Sequence, residues 1–396
     1  MQIDPDRLLG DLETLRSFGR CGTGVVRQAL TPADLEARRW LAGRMEAAGL
    51  RVVWDRVGNL FGVAPEGENG LLIGSHSDTQ PAGGWLDGAY GVICGLEVAR
   101  AAREAGLAGV SCVSFSDEEG AFEPLLGSRF WTGELSLDDL VCVVDQQGRR
   151  FGDIIAAVPE LQGRQEISLS HFRNFIEPHI EQGPVLADAD EDIAMVTAIA
   201  GLRHIELVVE GTQNHAGATP MNFRRDALQG FLAYVAALDE RFHPLRGSAV
   251  WTFGKVDIEP NAVSIIPGRL RAVLQVRSAD GLQLASMADI AIELAALPGR
   301  CAISARQISA VEPALLDLEL VDALHAASLG LGMGRCREMV SGALHDAGVI
   351  ARAMPSAMLF VPSTGGRSHC FDEDTPAKQL IIGAAVTAAV VAQLQS

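Results

Sequence analysis

Several acids and histidines stand directly after short apolar runs, where side chains from different parts of a chain can converge. His76-Ser77-Asp78 follows Leu71-Leu72-Ile73. A histidine just past a buried strand can offer one ring nitrogen to a metal, while an acid two residues on, here Asp78, orients the ring. Asp87, inside Gly83-Gly84-Trp85-Leu86-Asp87-Gly88, has two oxygens with which to bridge two ions. Asp117-Glu118-Glu119-Gly120 follows the apolar run Val110 to Phe115. Three consecutive carboxylates repel one another unless a cation compensates them. Neighbouring glutamates point in opposite directions, so Glu119 can bind metal while Glu118 serves as general base for a metal-activated water. His179, in Glu177-Pro178-His179-Ile180-Glu181-Gln182-Gly183-Pro184, and His369, in Gly365-Gly366-Arg367-Ser368-His369, complete the inventory. His76, Asp87, Glu119, His179 and His369 form a mixed nitrogen and oxygen set able to hold two divalent ions, and Zn, Mn, Co and Ni all suit it. Singly, His76 and Asp87 read more readily as solvated turn residues, and the acidic run reads as readily as an exposed loop.

The elements that must position them follow from periodicity. Thr31-Pro32-Ala33-Asp34 starts a helix with an N-cap, a proline at N1 and a capping acid, and the first fifty residues read as helical up to Gly49. A hairpin is expected from Arg51 to Ala64, buried strands at Leu71–Ile73 and Val110–Phe115, and a helix from Gly88 to Ala105. Strands alternating with helices predict an α/β sheet, whose sites lie beyond the carboxyl ends of its strands. From about residue 203 the texture changes. Alternating strands and amphipathic helices in the order β-α-β-β-α-β predict a split βαβ, ferredoxin-like unit at residues 204–314. The first domain, residues 1–203, then resumes over 315–396. Gly330-Leu331-Gly332-Met333-Gly334 reads as a turn, and the apolar run Leu380 to Ala392 as a buried core helix rather than a membrane span.

Composition narrows the function. The 396 residues carry a formal net charge of −18, which repels phosphate backbones and disfavours nucleic acid as a partner. No basic and apolar leader opens the chain, and no membrane is expected. Seven scattered cysteines without a C-x-x-C pair fit reduced thiols in the cytoplasm. No G-x-x-x-x-G-K-[ST] or G-x-S-x-G motif occurs, which disfavours phosphate-loop and serine-hydrolase chemistry.

In order along the chain, Gly-Ser-His-Ser-Asp-Thr, Asp-Gly-Ala-Tyr-Gly-Val, Asp-Glu-Glu-Gly, His-Ile-Glu-Gln-Gly-Pro, His-Ala-Gly-Ala-Thr-Pro-Met and Gly-Gly-Arg-Ser-His resemble the hydantoinase/carbamoylase branch of the di-metal aminoacylase and carboxypeptidase superfamily. The resemblance runs from about residue 10 to the C-terminus. It implies a mixed-sheet di-metal peptidase-like domain with an inserted dimerisation and lid domain, and hence a homodimer. It implies that His76 and His179 hold one metal, Glu119 and His369 the other, with Asp87 bridging and Glu118 as acid and base. It further implies that Asp78 orients His76 and that His215 reaches the partner's site to stabilise an oxyanion. Arg277 would grip a substrate carboxylate, and Gln182, Asn261, Ser264 and Gly366 would line the substrate. The activity implied is hydrolysis of a C–N bond in an N-carbamoyl amino acid or ureido acid. An N-acyl amino acid or dipeptide substrate is the alternative, and a catalytically silent metal-binding protein is disfavoured because the ligand set and Glu118 are intact.

The departures from the family pattern fall on substrate recognition. Ser264 replaces an asparagine, Gln275 an aspartate, Ala121-Phe122-Glu123-Pro124 lacks an Arg-Phe pair, and Arg367 stands at a position that is often apolar.

Overall fold

The computed structural model describes residues 1–65, 70–163, 166–332 and 335–395. The chain divides into two units, one of Met1–Thr197 with Leu315–Ser396 and one of Ala198–Ala314.

The larger unit is built on a mixed sheet of nine strands among the described residues. At its centre Ser356–Val361, Phe172–Ile180, Gly70–His76 and Val110–Phe115 run parallel in that order. The antiparallel hairpin Arg51–Trp54 and Leu60–Val63 extends one side, and Ile193–Ile199 pairs antiparallel on the other. Every residue of Gly70–His76, Val110–Phe115 and Ser356–Val361 is buried. Interior parallel strands covered on both faces read as unbroken apolar runs, which is why Leu71–Ile73 and Val110–Phe115 stand out in the sequence. The register sets His76 opposite Phe115 and His179 opposite Phe360. The carboxyl ends of the three parallel strands that carry site residues therefore share one edge.

The helix Ala89–Glu104 packs on this sheet, and Gly95 permits the approach: a Cβ there would lie 2.5 Å from the Ile73 carbonyl oxygen. Thr31 caps the helix Pro32–Ala47, whose Leu41 and Met45 are buried, and Gly49 follows it at φ 75°. The first fifty residues are not helical throughout. After the helix Pro5–Ser17, Gly19 and Gly22 take positive φ, and Arg20–Cys21 pairs with Gly24–Val25 as a small hairpin. The helix Ala377–Leu394 has 18 residues and is long and apolar enough by composition to cross a membrane. It packs against Ala89–Glu104, Leu318–Gly330 and Ser356–Val361, burying Leu380, Val386, Val390 and Val391. Gly330 ends a helix and Leu331 and Gly332 form a turn, while Met333 and Gly334 lie outside the described residues. All seven cysteines are free.

The smaller unit has four antiparallel strands in the order Ala249–Glu259, Arg269–Ser278, Gly201–Glu210, Ala302–Val311. Numbered along the chain, this order is 2-3-1-4, the arrangement expected of a split βαβ unit. Asp226 and Asp280 cap its helices, Ala227–Phe242 and Gly281–Ala295. Ile205, Leu207, Val209, Leu270, Leu274 and Val276 from the sheet meet Phe231, Leu238, Leu284 and Met287 from the helices. The unit starts at Ala198 rather than residue 204, because Gly201, Leu202 and Arg203 already pair with Ser278, Arg277 and Val276.

Candidate metal centre

The ends of the parallel strands and the loops leaving them bring His76, Asp87 and His179 together, and separately Asp87, Glu119 and His369; the ligand atoms in each trio lie within 4.8 Å of one another. Asp87 belongs to both. Its Oδ1 is 3.3 Å from His179 Nε2 and 3.9 Å from His76 Nε2, and its Oδ2 is 3.2 Å from His369 Nε2. Glu119 Oε2 stands 3.7 Å from the same His369 nitrogen.

The second nitrogen of two rings fixes which one is available. His76 Nδ1 is 3.1 Å from the Asp78 carbonyl oxygen and His179 Nδ1 is 2.9 Å from the Ile180 carbonyl oxygen. A carbonyl can only accept, so both Nδ1 atoms carry the proton and both Nε2 lone pairs face Asp87. Burial lowers the pKa of each ring to about 4, so both are neutral at pH 7, the form that binds a metal. Asp78 meets the His76 ring with its main-chain oxygen, not with the carboxylate expected to orient it. Its carboxylate Oδ1 is 3.8 Å from the ring, while Oδ2 accepts from Glu119 N at 3.3 Å and Oδ1 lies 3.8 Å from Arg38.

The other half of the site is crowded with acids. Burial, then the charge of Glu119, pushes the Glu118 carboxyl well above its usual range, and burial and Asp87 push Glu119 up to about 8. Burial works in the same direction on Asp87, but the His369 hydrogen bond and the neighbouring imidazoles hold it below the usual carboxylate range. That hydrogen bond in turn raises His369 to about 9, so an imidazolium supplies positive charge beside Asp87 and Glu119. Glu118 Oε2 faces His76 Nε2 at 3.6 Å. Neutral imidazoles on one side, carboxylates that resist ionisation on the other and one carboxylate common to both form a donor set that fits two divalent cations.

Gly88 is required by this geometry. It takes φ 64° at the start of the helix Ala89–Glu104, its N–H donates to His179 Nε2 at 3.1 Å, and a Cβ on it would lie 2.4 Å from His76 Nε2.

Among the residues expected to meet substrate, Gln182 takes φ 61° and donates from Nε2 to Asp87 Oδ2 at 3.0 Å. Gly366 takes φ 66°, with Pro184 filling the space its Cβ would need. Arg367 is exposed and pairs with Asp372 at 2.9 Å. In the smaller unit His215 is exposed, and its Nδ1 accepts from Gly217 N and Ala218 N, both at 3.0 Å, so Nε2 carries the proton. The Ser264 carbonyl accepts from Ala216 N at 3.0 Å, which ties that loop to the His215 loop. Asn261 is exposed at φ 55°, and Arg277 Nε donates to Gln275 Oε1 at 2.9 Å.

Four supports were not singled out from the sequence. Arg38 is fully buried and donates to the carbonyls of Gly58, Ser114 and Phe115 and to Asp34. On an amphipathic helix it is indistinguishable from a solvated residue until the fold places it. Glu373 accepts from Leu86 N, Asp87 N and Ser368 Oγ, joining the Asp87 and His369 loops. Its only signal was position, four residues after His369 in an acidic run. Gln80 donates to Glu119 Oε2 at 2.7 Å. His345 packs edge-on against His179, ring centroids 4.6 Å apart. Glu177, His179 and His345 form a further donor trio, but Glu177 accepts from Ser75 Oγ and Ala347 N, and His345 Nε2 lies 2.9 Å from Ser341 Oγ. Protein groups thus knit that trio together.

Residues 72–393 match the family described as Peptidase family M20/M25/M40. The chain is 32% identical to an N-carbamoyl-L-amino-acid amidohydrolase of Rhizobium meliloti, covering 97% of this chain and 95% of that one. It is 34% identical to an allantoate amidohydrolase of Bacillus subtilis (strain 168), covering 94% and 93% respectively. A crystal structure of an amidase of the hydantoinase/carbamoylase family from Burkholderia phymatum superposes with a TM-score of 0.93 at 42% identity, covering 100% of this chain and 98% of that chain. The chain therefore belongs to the M20/M25/M40 peptidase family and, within it, to the hydantoinase/carbamoylase enzymes, which are hydrolases.

Proposed function

We propose that the chain hydrolyses a C–N bond of an N-carbamoyl amino acid or a ureido acid of the allantoate type. The observation that carries this reading is the pair of donor trios sharing Asp87, with the Glu118 carboxyl beside them. The names of the two curated relatives supply the substrate class.

In this reading His76 and His179 would hold one cation and Glu119 and His369 the other, with Asp87 available to both. Bound there, Zn, Mn, Co or Ni would polarise the carbonyl and acidify a water. The remaining work falls to the chain. Glu118 takes a proton as water adds to the carbonyl carbon and returns it to the leaving nitrogen. A carbamoyl amino acid and water thus give the amino acid, carbon dioxide and ammonia. Arg277 binds the substrate carboxylate with its planar fork of donors, and Gln182 steadies the face of Asp87. The Nε2–H of His215 donates to the developing oxyanion. The smaller unit acts as dimerisation and lid domain, with His215 serving the partner's site in a homodimer. The seven free thiols fit a cytoplasmic setting.

The test is an ammonia-release screen of metal-loaded protein over carbamoyl amino acids, carbamoyl-β-alanine, allantoate and acetyl amino acids, with each of the four metals. Ammonia from a carbamoyl or ureido acid is expected. Cleavage of acetyl amino acids with no ammonia from any ureido compound would replace this reading with an acyl amino acid hydrolase.

A further inference from the structure

On the sheet face of the smaller unit opposite its helices, three polar side chains are linked across two strands. Gln275 stands opposite His204 in the register, and Arg277 shares its face two residues on. Arg277 Nε donates to Gln275 Oε1 at 2.9 Å, and Gln275 Nε2 lies 2.8 Å from His204 Nε2. These contacts fix every proton. A guanidinium only donates, so the amide oxygen must face Arg277 and the amide NH2 must face His204. An NH2 also only donates, so His204 Nε2 accepts, and the ring is neutral with its proton on Nδ1. Burial and the Arg277 charge both lower the His204 pKa, in keeping with that state.

We infer that His204, acting through Gln275, is a positioning residue that aims the Arg277 guanidinium and so sets the preference for an anionic substrate. The inference rests on the proposed role of Arg277 as carboxylate anchor. The departure at 275 gives it physical content. An aspartate at that position would hold the arginine and offset its charge, whereas a carboxamide holds it without adding a negative charge. Glutamine is also longer, with more rotamer freedom to lose. A second hydrogen bond at its far end, to His204, restricts that freedom. On the same face Glu210 pairs with Arg269 at 3.2 Å and Glu206 with Arg306 at 2.9 Å.

The test compares kcat and KM of the metal-loaded enzyme for the acid it hydrolyses best, carbamoyl or acyl, and for the neutral carboxamide of that acid. His204→Leu and Gln275→Leu should each lower the acid-to-carboxamide ratio of kcat/KM by about tenfold, mainly through KM. His204→Gln should restore the ratio, because an amide oxygen can accept from Gln275. Gln275→Glu should lower it while still holding Arg277, because it neutralises the charge. Equal losses on both substrates, or no change in the ratio where Arg277→Leu does change it, would overturn the inference and leave the anchor standing. An unchanged ratio in Arg277→Leu would overturn the anchor reading and the inference with it.

Discussion

At the scale of single residues, the site is defined by which atoms can carry a proton. Both strand-end histidines give Nδ1 to a main-chain carbonyl, which leaves no choice about the nitrogen offered to a metal. Glu118 lies 3.6 Å from one of those nitrogens, buried beside Glu119. Glu118→Gln keeps the shape and removes the base. Metal content by elemental analysis should stay at the wild-type value while kcat falls by about 10²–10⁴-fold; turnover near wild type would remove Glu118 from its role. Gly88→Ala should act in the opposite way. The substitution forces a positive φ on alanine, at about 1 kcal/mol, and sets a methyl against His76 Nε2. Metal affinity by titration should drop at least about tenfold, and catalysis at saturating metal should recover much of what is lost.

At the scale of elements, the parts legible in the sequence were those where one strand or helix determines its own pattern. Gly70–His76 and Val110–Phe115 are apolar because both faces are covered, and the polar residues that follow each strand stand out for that reason. The alternation of Arg203–Glu210 and Arg269–Arg277 likewise reveals a one-faced sheet. What could not be read depends on distant partners. The first fifty residues hide a hairpin because two glycines outweigh helical spacing, and Glu373 looks like surface until two loops meet it. It draws Leu86 N and Asp87 N, 286 residues away in sequence from the latter, toward Ser368. Glu373→Ala should therefore leave buried N–H groups unpaired at about 1–3 kcal/mol each, lowering the melting temperature and weakening metal binding together. Glu373→Gln, whose amide oxygen can still accept from both N–H groups, should lose far less of either. Equal melting temperatures for the alanine variant and wild type would show that the strap is dispensable.

At the scale of the whole molecule, the acidic cluster links stability to pH and to metal, and the sign can be worked out. Burial raises Glu119 to about 8, Glu373 to about 7 and Asp346, a buried acid whose charge acts on Glu118, to about 7, and the Asp87 hydrogen bond raises His369 to about 9. His76 and His179, lowered to about 4, are neutral in the folded state, and above pH 6.5 each unfolded ring holds at most about half a proton, fewer in sum than the raised groups hold. Between pH 6.5 and 9 the unfolded carboxyls have no proton left to release, whereas the folded ones must still lose theirs. The folded state then binds more protons, so the metal-free protein becomes less stable as pH rises through this window. The raised His369 contributes in the same direction, since its stabilisation is complete below the unfolded value and lost through the folded one. Divalent cations reverse the balance because they need the ligands ionised, and their binding strengthens as protons leave. The melting temperature of chelator-treated protein should fall from pH 6.5 to 9, and the increase produced by Mn or Zn should widen over the same range. A metal-induced increase that stays constant or shrinks with pH would mean that cations bind somewhere other than among these acids. The donor trios around Asp87 would then hold no metal.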